Sequence, residues 1–458
     1  MFVFYFYMSN STEITNELAT EKIGKLIWKY SLPAVVGTVV MALYNIVDRI
    51  YLGHGVGALA ISGLALTFPF MNILMACGML IGAGAGSRIS ISLGEGNKDK
   101  AERVLGNAFV LTFIVSGAAS VISYIFMGDL LRLFGGTEQT IRYAEDYMRI
   151  IIPFAFLSAL TFGFNNIMRA SGYPRKAMWT MIICAVSNII LDPIFIFGFG
   201  MGIKGAAHAT NISLFIGACF VLSHFLRKDT NIRFKRKNFK LQIDTVKSIL
   251  SIGLSPFSMQ IAASLVVVII NFQLIKHGGD LAIGAFGIVN SVCILIIMTI
   301  IGLNQGVQPI IGYNYGAKLF DRMFRTLRTA IIIATVISTT GFLLGMFVPK
   351  FLIGLFTSHT EMIDIATNAL KITVLLFPII GFQIVVSNFF QSIGKAKISI
   401  FLSITRQFLF LIPSLLVLPA IFGLNGVWYA QPLSDGLAVV VTGLTVLFFI
   451  RKFKQSEL

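Results

Sequence analysis

Asp192 is an acid set in apolar sequence, in Asn188-Ile-Ile-Leu-Asp192-Pro193, with Thr180-Met-Ile-Ile-Cys-Ala-Val-Ser before it and Ile194-Phe-Ile-Phe-Gly198 after it. A carboxylate at the centre of a membrane helix costs about 2.5–3.5 kcal/mol on insertion scales, so this one must face protein or water rather than lipid. Asn188 lies four residues earlier and shares its helix face. Pro193 removes the hydrogen bond that would have gone to the carbonyl of Ile189, which frees an acceptor nearby. Carboxylate, amide and bare carbonyl oxygens suit a small hard cation or a proton.

Two further carboxylates lie in apolar sequence, Asp48 and Asp435. Asp48 closes Tyr44-Asn-Ile-Val-Asp48-Arg49 and sits at a depth similar to that of Asp192. A second reading makes Asp48 a helix-end residue, paired with Arg49 or simply hydrated. Thr210, in Ala206-Ala-His-Ala-Thr210-Asn211, can add a hydroxyl oxygen and Asn165 an amide. Two acids sharing a poorly solvated pocket favour a proton or a cation held between them. Asp435 falls near mid-span with Arg406 on the preceding span, where the two read as a mutually neutralising structural pair. Gln260, Asn271, Asn304, Gln305 and Gln308 make the second half polar but uncharged, as cavity lining or as hydrogen bonds between helices.

The elements that must position these groups are membrane helices. Hydrophobic residues make up 56% of the 458 residues, charged residues 12%, and the mean hydropathy is +0.85. Soluble domains carry roughly 25% charged residues. The net charge of +16 is spread over short loops, which fits the cytoplasmic face of a membrane protein and not a nucleic-acid partner. All four cysteines lie in apolar spans, so neither a disulfide framework nor a C-x-x-C metal site is expected. The apolar start Met1–Met8 lacks a basic n-region and is too short to span; it reads either as an upstream start with Met8 the true one or as an interfacial aromatic anchor.

Twelve spans are predicted, over 27–50, 58–87, 104–127, 143–169, 176–199, 205–226, 247–275, 281–312, 327–353, 362–392, 397–422 and 426–450. With both termini inside, 27 of the 36 Lys and Arg fall on the cytoplasmic side and 8 on the other, so the termini are expected in the cytoplasm. The scheme is a tail over 1–26, a first lobe over 27–226, a basic linker over 227–246, a second lobe over 247–450 and a tail over 451–458. The linker reads as a solvated, topology-setting connection.

The halves resemble each other at a shift of about 222 residues: Ser31-Leu-Pro33 answers Leu254-Ser-Pro256, Gly172 answers Gly394, and Gly202-Ile-Lys-Gly205 answers Gly423-Leu-Asn-Gly426. Six spans per repeat keep the same orientation, so the expected fold is all-α, two six-helix bundles around a cleft, as in a transporter.

Four stretches resemble the multidrug and toxic compound extrusion (MATE) family: Ala42-Leu-Tyr-Asn-Ile-Val-Asp48, Ser187-Asn-Ile-Ile-Leu-Asp192-Pro193, Gly205-Ala-Ala-His-Ala-Thr210 and Gln305-Gly-Val-Gln-Pro-Ile-Ile-Gly-Tyr-Asn-Tyr-Gly-Ala317. The resemblance implies export of bulky organic cations in exchange for H⁺ or Na⁺. It matches Asp48, Asn188, Asp192 and Thr210 to the family's first-lobe cation site, with Tyr44 and Asn165 beside it. Some members carry an acid in the seventh span; Met259-Gln-Ile-Ala-Ala-Ser-Leu-Val has none here, which leaves coupling to the first lobe. The expected partners are cationic or amphipathic small molecules and the lipid bilayer, with no cofactor beyond the coupling ion. A monomer in the plasma membrane is expected. Two rivals are a lipid-linked oligosaccharide flippase, for which Arg406 alone is thin support, and an antiporter-like proton-pumping subunit, which would need mid-span lysines. There is no phosphate-binding glycine loop, so neither ATP drive nor catalysis is expected.

Overall fold

The apolar runs become helices that extend past the runs themselves, because charged residues at a span's ends reach water while the backbone keeps its helical hydrogen bonds. The computed structural model describes residues 17–56, 58–133 and 136–457. The question of Met1 against Met8 lies outside the described residues. Among the described residues there is no strand.

The first repeat comprises α1 (Ile23–Gly55), α2 (Ala58–Gly94), α3 (Lys98–Ile125), α4 (Thr140–Ala170), α5 (Pro174–Gly198) and α6 (Gly202–Leu226). The second comprises α7 (Ile243–Gly279), α8 (Leu281–Gly316), α9 (Phe320–Phe347), α10, α11 (Ala396–Phe422) and α12 (Leu424–Glu457). Eleven of these are long and apolar enough to cross a membrane unbroken. The twelfth, α10, is Thr360–Thr373 and Phe377–Ser392 meeting at 55°. Pro378, in the first turn of the second segment, cannot donate to the Val374 carbonyl, so the helical ladder breaks there. Proline also ends the ninth span early. It was expected to reach residue 353, but α9 stops at Phe347 and Pro349 opens a separate short helix, Pro349–Gly354. Gly279, at φ 64°, makes the break between α7 and α8.

The basic linker is docked and only partly solvated: Arg233, Arg236, Lys237 and Lys240 are exposed. Ile232, Thr230, Asn231 and Asn238 are buried. Asn107 on α3 donates to the carbonyls of Asn238 (3.0 Å) and Lys240 (3.2 Å) and accepts from the Gln242 N–H (2.8 Å). Phe234 and Phe239 stack at 5.6 Å between ring centres and join Phe109 and Phe225 edge-on. Lys235 pairs with Glu102, which is fully buried, and with Asp99 at 3.1 Å. Those two carboxylates hold its ammonium above the usual lysine range. Charge density alone suggested a hydrated strand of chain; the phenylalanines between the charges supply the apolar area that docks it.

The chain forms two compact units. One comprises residues up to Leu254 together with Gln305–Thr326 and Ser392–Gly394. It therefore includes the start of α7 and the end of α8. Glycine lets both approach α2 at backbone distance: a Cβ at Gly253 would lie 1.6 Å from the Leu80 carbonyl oxygen, and one at Gly316 would lie 2.1 Å from that of Ile91. The other unit comprises Ser255–Asn304, Leu327–Gln391 and Lys395–Leu458. Its core is built on Val266, Ile270, Phe377, Leu411 and Trp428.

Candidate functional site

α1, α5 and α6 bring the acid cluster together. α1 continues seven residues beyond Asp48 to Gly55, and the Asp48 side chain is 9% exposed. It is therefore an interior residue of the helix and not its end, while the Arg49 side chain lies outside the described residues. Asp192 is fully buried one turn after Asn188. The chain passes Pro193 by widening into a π turn, Ile194–Gly198. A proline cannot donate the regular hydrogen bond, and a wider turn restores pairing with a shifted register.

Asn188 Nδ2 donates to Asp192 Oδ1 at 3.3 Å and reaches Thr210 Oγ1 at 3.5 Å. The carboxyl groups of Asp48 and Asp192 lie within hydrogen-bonding reach of each other. Tyr44, one turn before Asp48, places its hydroxyl in electrostatic reach of Asp48 and Asp192. The Asn188 amide oxygen and Asp192 Oδ2 are buried with no donor facing them. A buried acceptor without a donor is costly, and several around one point make a place for a proton or a small cation. The donor set of carboxylate, amide and hydroxyl oxygens suits a hard ion.

One residue of the cluster was not singled out in the sequence. Tyr147, on the first half of α4, is 4% exposed and its hydroxyl is within hydrogen-bonding reach of Thr210. Its signal was a polar-tipped ring in the buried stripe Ala144, Tyr147, Met148, Ile151. Tyr147 also belongs to an apolar core with Leu52, Ile196, Ala206 and Ala207. Each of those four lies about one turn from Asp48, Asp192 or Thr210 along its helix, so the acids sit beneath an apolar cap.

Other expected residues fall elsewhere. Asn165 is buried, but its amide donates to the Ala177 carbonyl at 2.5 Å. Ala177 precedes Asn188 by three turns of α5, roughly 16 Å along the axis, so Asn165 does not stand beside the acids. Gln308, read as cleft lining, is 7% exposed and donates to Ser87 Oγ at 2.7 Å, which ties α8 to α2. The Gln305 side-chain oxygen is buried without a partner. Gln260 and Asn271 are half-buried on α7. Arg406 Nε donates to Asp435 Oδ1 at 2.7 Å, and Gln431 Nε2 donates to Asp435 Oδ2 at 3.4 Å. The pair is well buried, with the two side chains 14% and 0% exposed.

A repeated, polytopic helical bundle with buried acids on facing helices is the architecture of a membrane transporter. The chain belongs to the MatE family, whose model matches residues 33–194 and 257–416. It is 28% identical over 430 residues to the multidrug export protein MepA of Staphylococcus aureus, covering 93% of each chain. Among solved structures, a ligand complex of the MATE multidrug transporter DinF-BH is 38% identical with a TM-score of 0.88, covering 93% of this chain and 96% of that one. A MOP superfamily transporter from Pyrococcus furiosus Vc1 is 26% identical with a TM-score of 0.90, covering 96% and 98%.

Proposed function

We propose that this protein is a secondary active multidrug exporter that exchanges cationic or amphipathic compounds for H⁺ or Na⁺ by alternating access. Its substrates follow by likeness: MepA is a multidrug export protein, and DinF-BH is a MATE multidrug transporter. The observation that carries the coupling is the buried meeting of Asp48, Asn188, Asp192 and Thr210 beneath an apolar cap. In that low-dielectric setting two neighbouring carboxylates cannot both stay charged at low cost. One proton shared between them, or one Na⁺ among their oxygens, removes half of the cluster's negative charge and the repulsion between the two acids. Such loading shifts the conformational balance only through the ion's different affinity for the two states. Substrate release and ion binding are thereby linked.

The test is efflux from proteoliposomes with Na⁺ and pH gradients imposed separately. Either Asp48→Asn or Asp192→Asn abolishes ion-driven efflux with expression intact, because the shape is kept and the charge removed. The double variant is no worse than either single one, since the two acids act as a unit. Asp364→Asn, an exposed partner of Lys350, transports normally. Full ion-dependent efflux by Asp48→Asn would remove Asp48 from the site and leave coupling to Asp192. The proposed setting is a monomer in the plasma membrane with both termini in the cytoplasm.

A further inference from the structure

At the end of the bundle where α4 gives way to α5 and α6 runs into the linker, several cations gather with little counter-charge. Arg175 and Lys176 open α5, and Arg227 and Lys228 follow α6, with Asp229 the next residue. Among the described residues, neither the Lys176 ammonium nor the Arg227 guanidinium has an ion pair; Lys176 lies 4.9 Å from the centre of the Tyr173 ring. Lys176, Arg227 and Asp229 are close enough to act on one another. Tyr173 is also the N-cap residue of α5 and provides no side-chain cap. With Pro174 in the first turn, the N–H groups of Arg175 and Lys176 have no intrahelical partner, and the helix dipole adds partial positive charge.

His224 is the second observation. It is 4% exposed, and neither ring nitrogen has a partner. Its ring packs edge-on against Tyr173 at 4.4 Å, where Lys176 and Arg227 both act on it. With Lys176 and His224 against the same Tyr173 ring, this corner is rich in hydrogen-bond donors and positive charge, the character of an anion site. The docked linker holds the arrangement in place. The Asn231 N–H donates to the Tyr173 hydroxyl at 3.0 Å, and Asn231 Nδ2 donates to the Ser171 carbonyl at 3.2 Å.

Depth identifies the anion. Trp179, one turn along α5 from Lys176, is 50% exposed, and Leu226, next to Arg227, is 72% exposed. An exposed tryptophan beside basic residues marks the headgroup level of a membrane, with apolar surface on one side and water on the other. We infer that Lys176, Arg227 and the α5 N-terminus form a binding site for the phosphate of an anionic phospholipid. Guanidinium and ammonium groups at a helix N-terminus match phosphate in both charge and hydrogen-bond donors.

The experiment uses the full chain purified in detergent. Retained lipid is measured by native mass spectrometry, and the thermal midpoint is followed as phosphatidylglycerol, phosphatidylcholine or inorganic phosphate is added. Phosphatidylglycerol is retained and raises the midpoint, whereas phosphatidylcholine does so at least ten-fold more weakly. Lys176→Gln/Arg227→Gln weakens the phosphatidylglycerol response at least ten-fold, and Lys176→Arg keeps it. Lys276→Gln/Lys371→Gln, which loses the same charge from the ends of other helices, responds like the parent. Equal responses of the parent and the Lys176/Arg227 variant overturn the site. A variant-sensitive response to inorganic phosphate, with no preference between the lipids, overturns the lipid as its occupant.

Discussion

Two pairs of buried charge in this chain have opposite characters. Asp48 and Asp192 are alike in sign and close together, so they need something added. Arg406 and Asp435 are opposite in sign and already satisfied by a 2.7 Å contact that Gln431 supports. Removing one member of such a pair leaves the other buried and unpaired, which costs about 3–5 kcal/mol; removing both costs less. Arg406→Leu and Asp435→Leu should therefore each lower the thermal midpoint sharply, and the double variant should recover part of the loss. Strictly additive losses would show that the contact contributes nothing to stability. The placement of Asn165 has the same kind of local cause. A carbonyl has a second lone pair to offer even within a helix, and the Asn165 amide uses that of Ala177, three turns from Asn188.

Among the elements, the linker departs furthest from its appearance in sequence. Asn107 is fully buried and acts as a bracket, with donors and an acceptor matched to three backbone groups of the linker. Asn107→Ala orphans those groups, at about 1–3 kcal/mol for each that stays buried. The expected result is a lower thermal midpoint and faster tryptic cleavage in Arg236-Lys237. Cleavage at the parent rate would mean that the phenylalanine cluster alone holds the strap. Docking also makes the linker part of the first unit, where Arg227 stands beside the start of α5.

For the whole molecule, the units do not divide at the linker. The first takes in the start of α7 and the end of α8, joined to α2 through glycine contacts. Orientation in the membrane is a separate matter, and it rests on the excess of 27 Lys and Arg over 8. Single cysteines replacing Lys237 and His359, both exposed, in a cysteine-free background should react with impermeant reagents from opposite faces. Position 237 should react from the cytoplasmic face. Reaction of both from one face would refute the arrangement of spans.

Composition and periodicity determined the class, the span count and most span positions, because lipid demands a long apolar run from every crossing whatever its neighbours. The acid cluster was legible for a similar reason: an acid in an apolar run must find a partner, and few polar residues were at hand. Tertiary structure alone decided which groups meet. It recruited Tyr147, which an apolar face disguised, and it sent Asn165 and Gln308 to other carbonyls and hydroxyls. It also docked a basic linker through phenylalanines whose joint effect exists only once they are packed. These outcomes depend on contacts between residues far apart in the chain, and no local pattern specifies which of several possible hydrogen-bond partners or apolar surfaces a side chain will reach first.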